Sequence, residues 1–172
     1  MGPAGTDHPD LAPWPHLWLA DDPAPYAAAG AFLLLGTTEW TPSRQALLRA
    51  ALGDEPRPLW LANPDLVSPA EHGLVEEPGS LAHRLAEETG APILGFGKPY
   101  GAIFARALAS LPGVAPDRVV MVGDTLHTDI LGGRAAGLRT ALVTGHGALR
   151  GLDAAQAMAG SGIWPDYVMD GP

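Results

Sequence analysis

The chain has 172 residues, of which 47% are hydrophobic and 17% are charged, and its formal net charge is −9. This composition predicts a compact fold of one or two small domains, and without a basic stripe it argues against nucleic-acid binding. The absence of cysteine excludes disulfides, thiolate metal sites and cysteine nucleophiles.

Residues 1–15 are rich in proline and glycine, and we expect them to form a flexible N-terminal segment. They contain no lysine, no arginine and no long apolar stretch, so they do not have the pattern of a secretory signal. The longest apolar run is too short to cross a bilayer. We therefore expect a cytoplasmic protein that does not contact a membrane.

The first half of the chain predicts strands that alternate with helices. Two short apolar runs, HLWLA at 16–20 and AFLLLGT at 31–37, are typical of buried strands. Thr41 followed by proline predicts the start of a helix that ends near Gly53. A third strand is expected in PLWLA, at 58–62, and a second helix in SLAHRLAEETG, where Gly90 is the expected C-terminal cap.

The second half is more regular. Strands are predicted in PILGF, VVMVGD, TALVTG and DYVM, and VVMVGD has the continuous apolar character of a parallel strand covered on both faces. Helices are predicted in DILGGRAAG and in YGAIFARALASL, whose buried side would carry Ile103, Phe104, Ala107, Leu108 and Leu111. Strands that alternate with helices indicate right-handed crossovers and a parallel sheet, so the fold class is α/β.

Two aspartates follow a strand of this sheet. Ligands of an open parallel sheet bind beyond the carboxyl ends of its strands, and Asp124 comes directly after VVMVG, with Asp129 at the start of the next helix. Both carboxylates could bind Mg²⁺, or one could bind the ion while the other holds a water molecule on it. Alternatively Asp129 or Thr128 caps the helix, a role that is compatible with metal binding.

Lys98 is the only lysine, beside nine arginines, and it lies in GKPYG between a strand and a helix. That position predicts that Lys98 lies at the same edge of the sheet as Asp124, where an ammonium group can neutralise a phosphoryl group. The alternative is an ordinary surface lysine. Four histidines, at positions 72, 83, 127 and 146, show no metal-ligand spacing, and the G-x-G strings in GFGKPYG and GHGALRG do not match a nucleotide-binding fingerprint.

Several strings taken together resemble the haloacid dehalogenase superfamily of phosphatases, in the branch that contains nitrophenyl-phosphatase-like and phosphoglycolate-phosphatase-like enzymes (subclass IIA). The similarity covers about residues 31–170 and rests on LANPDLVSP, GSLAHRLAEETG, GKPYGAIFARAL, VVMVGDTLHTDILGGRAAGLRTALVTG and PDYVMD. It implies a Rossmann-like parallel sheet, of which residues 94–172 form the second half of the core, and an α/β cap domain, part of which is residues 16–93.

The resemblance also implies roles for individual residues. Lys98 would bind phosphate and, with Asp124, act in catalysis, while Asp124 and Asp129 would hold Mg²⁺. Asn63 and Asp65 would lie in the cap, which selects the substrate, here a small phosphorylated metabolite. His127 departs from the branch, where an acidic residue is common at that position.

The sequence lacks the D-x-D motif that carries the nucleophile in this family, and it lacks the hydroxyl residue that binds the phosphoryl group. Asp21-Asp22 is the best substitute, but its spacing is wrong. We therefore expect the C-terminal part of a Mg²⁺-dependent phosphatase, truncated and inactive as it stands. The alternatives are a non-catalytic pseudo-phosphatase fragment that acts as a binding module, or a receiver-like metal switch, which the missing early acidic pair disfavours.

The missing segment would also leave an edge of the sheet open. In the family, the strand that corresponds to VVMVG pairs with the strand that carries the nucleophile. An uncovered hydrophobic edge is avoided in proteins. We therefore expect an N-terminal half of the core, another chain or a second copy of this chain to cover it.

Overall fold

The computed structural model describes residues 13–171, which fold as an α/β protein in agreement with the predicted fold class. The helices are α1 Ala24–Ala28, α2 Pro42–Asp54, α3 Pro78–Thr89, α4 Gly101–Ala109, α5 Leu131–Ala135 and α6 Ala154–Ser161. The strands are β1 Phe32–Leu34, β2 Leu59–Leu61, β3 Val67–Ala70, β4 Gly73–Glu76, β5 Ile93–Gly95, β6 Val120–Gly123, β7 Arg139–Val143 and β8 Tyr167–Met169. The first twelve residues of the predicted flexible segment lie outside the described residues.

The chain divides into two compact units. The first contains the described residues up to Leu66 together with Glu76–Gly95, and the second contains Val67–Val75 and the described residues from Phe96 onward. No described helix is long and apolar enough to cross a membrane.

The first unit is built on the parallel sheet β1-β2-β5, one face of which packs against helices. Side chains alternate between the two faces of a strand, so the first and third residues of β1 and β2 point to one side. These residues are buried in a core that α2 and α3 complete (Phe32, Leu34, Leu59, Leu61, Leu48, Leu52, Leu81, Leu85). The middle residues of the three strands, Leu33, Trp60 and Leu94, form a row on the opposite face, and Trp60 and Leu94 are both exposed.

The helix ends of this unit follow the sequence signals. The Thr41 hydroxyl accepts a hydrogen bond from the Arg44 amide at 3.2 Å, which caps α2 as predicted. Gly90 adopts a left-handed conformation, with φ of 74°, at the end of α3. The Arg57 guanidinium donates to carbonyl oxygens at the ends of two helices (Tyr26, Ala27 and Ala29 around the end of α1, and Ala51 in α2).

The second unit is built on the parallel sheet β6-β7-β8. Its core contains Leu126, Ile130, Leu142, Leu149 and Met158. Beside that core, the Asp166 carboxylate accepts hydrogen bonds from the Thr140 amide at 2.8 Å and the Thr140 hydroxyl at 3.1 Å. These bonds join the start of β7 to the residue before β8.

Three expectations from the sequence are wrong. HLWLA forms no strand, although its apolar residues suggested one. In β6, Val120 and Val122 are 46% and 48% exposed, so the described residues leave uncovered the face of this strand that carries them. In α4 only Phe104 is buried, against Gly132 of α5, while Ala107 and most of the predicted face are exposed.

Candidate functional site

The Lys98 ammonium group forms an ion pair with the Asp129 carboxylate, with Nζ at 2.5 Å from Oδ1. The Lys98 side chain is 45% exposed, whereas the Asp129 side chain is 3% exposed. A carboxylate that is removed from water needs a charged or hydrogen-bonding partner, and Asp129 has both, because its Oδ2 accepts from the Thr125 amide at 3.2 Å. The structure thus brings together a lysine and an aspartate that are 31 residues apart in sequence.

Asp129 belongs to a π-helical turn, Leu126–Ile130, between β6 and α5. The amides of Asp129 and Ile130 both donate to the Thr125 carbonyl oxygen, at 3.0 and 3.3 Å, and the second bond spans five residues. Single π-helical turns occur frequently at functional sites. Neither Asp129 nor Thr128 caps α5, whose N-terminal cap residue is Ile130 without a side-chain hydrogen bond.

Asp124 follows β6 directly and is held by a loop that lies after β7. Its Oδ2 accepts a hydrogen bond from the Ala148 amide at 2.9 Å. Its Oδ1 has only a long contact with the Thr125 hydroxyl, at 3.5 Å. Thr125 therefore lies between the two aspartates and contacts both, through its amide and its hydroxyl.

The two carboxylates differ in their suitability as metal ligands. Both Asp129 oxygens are already hydrogen-bonded, to Lys98 and to Thr125, whereas Asp124 retains one oxygen without a strong hydrogen bond. Carboxylate oxygen suits Mg²⁺, so Asp124 fits as one oxygen ligand of such an ion. Within residues 13–171 no group of three or more metal-ligating side chains forms a complete cage.

Two buried polar atoms next to these aspartates lack hydrogen-bond partners among the described residues: Thr128 Oγ1 and His127 Nε2. Thr128 is 1% exposed. Buried polar groups are normally paired, and an unpaired one calls for an explanation. Thr128 was predicted only as a possible helix cap, since a threonine beside a helix start resembles one, and its position next to the two aspartates makes it a further candidate.

Asn63 and Asp65 lie in the first unit, at the entry to α3. The Asn63 amide nitrogen donates to Glu77 Oε2 at 3.1 Å, and its Oδ1 accepts from the Asp65 amide at 3.2 Å. The Asp65 carbonyl accepts from Gly79 at 3.0 Å, while Asp65 Oδ1 is buried without a partner among the described atoms. These contacts give both residues a structural role, because they connect residues 63–65 to the start of α3. Their contact with substrate stays a prediction.

Residues 95–171 match the family model described as HAD-hydrolase-like, that is, haloacid dehalogenase-like hydrolases. Over 81 residues the chain is 37% identical to the dihydroxyacetone phosphatase of Corynebacterium glutamicum. The matched residues are 47% of this chain and 29% of that protein. Over 108 residues it is 38% identical to the D-glycerol 3-phosphate phosphatase of Mycobacterium tuberculosis. This match covers 62% of this chain and 29% of that protein.

Among solved structures, a possible sugar phosphatase of the same superfamily from Cytophaga hutchinsonii superposes with a TM-score of 0.73 at 29% identity. The superposition covers 87% of this chain and 54% of that one. The chain thus spans about half the length of this structural relative, and its matches cover less than a third of the two curated ones. These matches confirm the predicted resemblance to the haloacid dehalogenase superfamily.

Proposed function

Because residues 95–171 match the family model of haloacid dehalogenase-like hydrolases, we propose that the chain is the C-terminal portion of a Mg²⁺-dependent phosphomonoester phosphatase. The observation that carries the proposal is the arrangement of Lys98, Asp129 and Asp124 around Thr125. This arrangement links a partly exposed cation, Lys98, through Asp129 and Thr125 to the carboxylate of Asp124, and a phosphate with its metal ion requires these two charges.

In this proposal the three charged side chains have different tasks. Asp129 holds the lysine ammonium group in place, since its own carboxylate is buried, lies 2.5 Å from the lysine Nζ and is itself fixed by the Thr125 amide. Lys98 neutralises an oxygen of the phosphoryl group with the exposed part of its side chain. Asp124 ligates Mg²⁺, which when bound neutralises charge on the phosphoryl group. Asn63 and Asp65 belong to the cap, and the substrate is a small phosphorylated metabolite.

The attacking group is not among the residues of this site. Asp129 is not available for this role, because both of its carboxylate oxygens accept hydrogen bonds, from Lys98 and from the Thr125 amide. We propose that the nucleophilic aspartate belongs to a segment that pairs with the open edge of β6. Two observations support this. The strand β6 lies at the edge of its sheet and exposes Val120 and Val122. In the turn that follows β6, the buried Thr128 hydroxyl has no hydrogen-bond partner within residues 13–171.

A second candidate is a pseudo-phosphatase fragment that binds a phosphorylated ligand or a partner without turnover. His127 favours it, because the chain carries an imidazole where the family commonly has an acidic side chain. On this alternative, a second copy of the chain covers the β6 edge instead of an N-terminal half of the core.

Reading the genomic frame upstream of the codon for Met1 distinguishes the two candidates. A hydrophobic strand that ends in D-x-D supports the phosphatase, and the extended protein should then hydrolyse nitrophenyl phosphate with Mg²⁺. Lys98→Ala and Asp124→Asn should each abolish that turnover. The chain of 172 residues alone should have negligible activity. Turnover by this chain that disappears in Asp124→Asn would contradict the proposal that the nucleophile lies elsewhere.

A further inference from the structure

The turn at residues 145–149, with the sequence Gly-His-Gly-Ala-Leu, touches Asp124 from the end of β7, 24 residues away. The Ala148 amide donates to Asp124 Oδ2 at 2.9 Å, which is shorter than the 3.5 Å contact of Asp124 Oδ1 with the Thr125 hydroxyl. A hydrogen bond from an amide to an ionised carboxylate is stronger than one between neutral groups. The bond therefore fixes the rotation of the carboxylate and commits one of its two oxygens.

Gly147 supplies the space for this contact. Its φ of 71° lies in the left-handed region, and a methyl group on its α-carbon would overlap the Asp124 carboxylate. The backbone conformation and the close approach each favour glycine at this position. The carboxylate of Asp124 thus packs directly on the backbone of the turn.

The turn itself is anchored at both ends. The Thr144 amide donates to the Met169 carbonyl and the Gly145 amide to the Asp170 carbonyl, both at 2.9 Å, which ties its start to β8 and the residue after it. At its other end, Leu149 is 8% exposed and packs in the core with Leu126 and Ile130, two residues of the π-helical turn. A support fixed at both ends can hold a side chain in one orientation.

We propose that the 145–149 turn is the positioning element of Asp124, and that it leaves Oδ1 as the single oxygen through which this residue ligates a divalent cation. Ala148 and Gly147 are positioning residues, since they act through Asp124. A carboxylate that binds through one oxygen suits the small octahedral Mg²⁺ ion. The statement about the cation rests on the proposed function, whereas the orientation of the carboxylate does not.

The chain provides a matched control for testing this proposal. Gly147 and Gly151 are both left-handed, with φ of 71° and 76°, but nothing lies within 4 Å of a methyl group placed on Gly151. Alanine should carry a similar backbone strain at either position, because both positions have a left-handed φ. Only Gly147→Ala displaces the Asp124 carboxylate. The difference between the two variants therefore isolates the positioning effect from backbone strain.

The first measurement is hydrogen exchange of the Ala148 amide by NMR in metal-free protein. We expect exchange to become roughly tenfold faster in Gly147→Ala and in Asp124→Ala, because the amide loses its charged acceptor, and to be nearly unchanged in Gly151→Ala. Unchanged exchange in Asp124→Ala, or equal effects of the two glycine substitutions, would overturn the proposal. Asp124→Ala keeps this test valid if Gly147→Ala does not fold.

The second measurement is the affinity for Mn²⁺ by isothermal titration calorimetry, as a stand-in for Mg²⁺. Gly147→Ala should bind roughly tenfold more weakly than Gly151→Ala, the loss typical of removing an outer support of a metal ligand. Equal affinities of the two variants would overturn the assignment of Oδ1. If the unaltered chain binds no Mn²⁺ while amide exchange behaves as expected, the proposed metal function fails and the positioning of Asp124 stands.

Discussion

The Asp129 carboxylate occupies the space that any side chain at position 123 would need. A methyl group on Gly123 would overlap the Asp129 side chain, including its carboxylate. Gly123 is the last residue of β6, and Asp129 lies six residues later in the π-helical turn. The glycine before Asp124 therefore serves the ion pair of Asp129 with Lys98, since it allows the turn to pack directly on the strand.

Gly123→Ala should destabilise the protein by about 1–3 kcal/mol, the usual cost of forcing extra volume into a packed site. Chemical denaturation measures this change. Gly53→Ala is the control, because Gly53 lies in α2 with open space around its α-carbon, and alanine there should stabilise the helix by about 0.5–1 kcal/mol. If Gly123→Ala leaves the free energy of unfolding unchanged, the Asp129 carboxylate must move aside at no cost.

Lys98→Met should cost more stability than the same change at an exposed ion pair. It leaves the buried Asp129 carboxylate without its cation, which we expect to cost about 1–3 kcal/mol, below the range for fully buried pairs because Lys98 is half exposed. Arg49→Met is the control, since Arg49 and Glu88 are both well exposed, and we expect less than about 1 kcal/mol there. Urea denaturation of both variants tests the difference, and equal losses would contradict a special role for the Lys98 pair.

Arg57→Met should destabilise the first unit by about 2–4 kcal/mol. The guanidinium satisfies carbonyl groups at the ends of both α1 and α2, and hydrogen bonds to a charged donor contribute about 1.5–3 kcal/mol each without adding fully. It also lies 5.1 Å from the centre of the Phe32 ring. Arg57→Lys should recover only part of the loss, because one ammonium group cannot reach both helix ends. Full recovery with lysine would show that charge alone matters.

The contribution of Asp166 to stability should depend on pH. The hydrogen bond from the Thr140 amide, followed by those from the Thr140 hydroxyl and Arg139, lowers the pKa of the Asp166 carboxyl below the ordinary value of an aspartate. A depressed folded-state pKa gives a contribution that is complete above the unfolded-state pKa and is lost as the pH falls through the folded-state pKa.

The melting temperature of Asp166→Asn should accordingly lie below that of the unaltered protein near neutral pH. The difference between the two melting temperatures should become smaller as the pH is lowered from about 6 to about 3. Asp117→Asn, at an exposed position, controls for the loss of one negative charge. A gap that stays constant over this range would contradict the lowered pKa of Asp166.

Local signals in the sequence predicted most of the elements. Thr41 and Gly90 marked helix ends correctly, and the apolar runs at β2, β5 and β7 are strands. HLWLA is apolar but forms no strand, because apolar character alone does not specify a hydrogen-bonded neighbour. The prediction that both faces of β6 are covered was wrong, since hydrophobicity does not reveal whether the rest of the chain supplies a covering layer.

The candidate site was predicted only in part. The positions of Lys98 and Asp124 after strands pointed to a common edge of a sheet, but the direct ion pair between Lys98 and Asp129 depends on the π-helical turn, which no periodicity indicates. Gly147 and Ala148 were missed because their contact with Asp124 spans a strand and a helix. A glycine after a histidine in GHG is a weak signal unless the structure shows what lies against it.

The outward-facing valines of β6 bear on how this protein behaves when it is produced. Natural edge strands carry lysine, proline or a bulge to prevent strands of different molecules from joining, whereas Val120–Gly123 contains no charged or proline residue. We expect the 172-residue chain, expressed alone, to self-associate in a concentration-dependent way, and Val122→Lys to reduce the particle size in light scattering. Preparations of this chain should therefore be kept dilute, or made with the Val122→Lys variant.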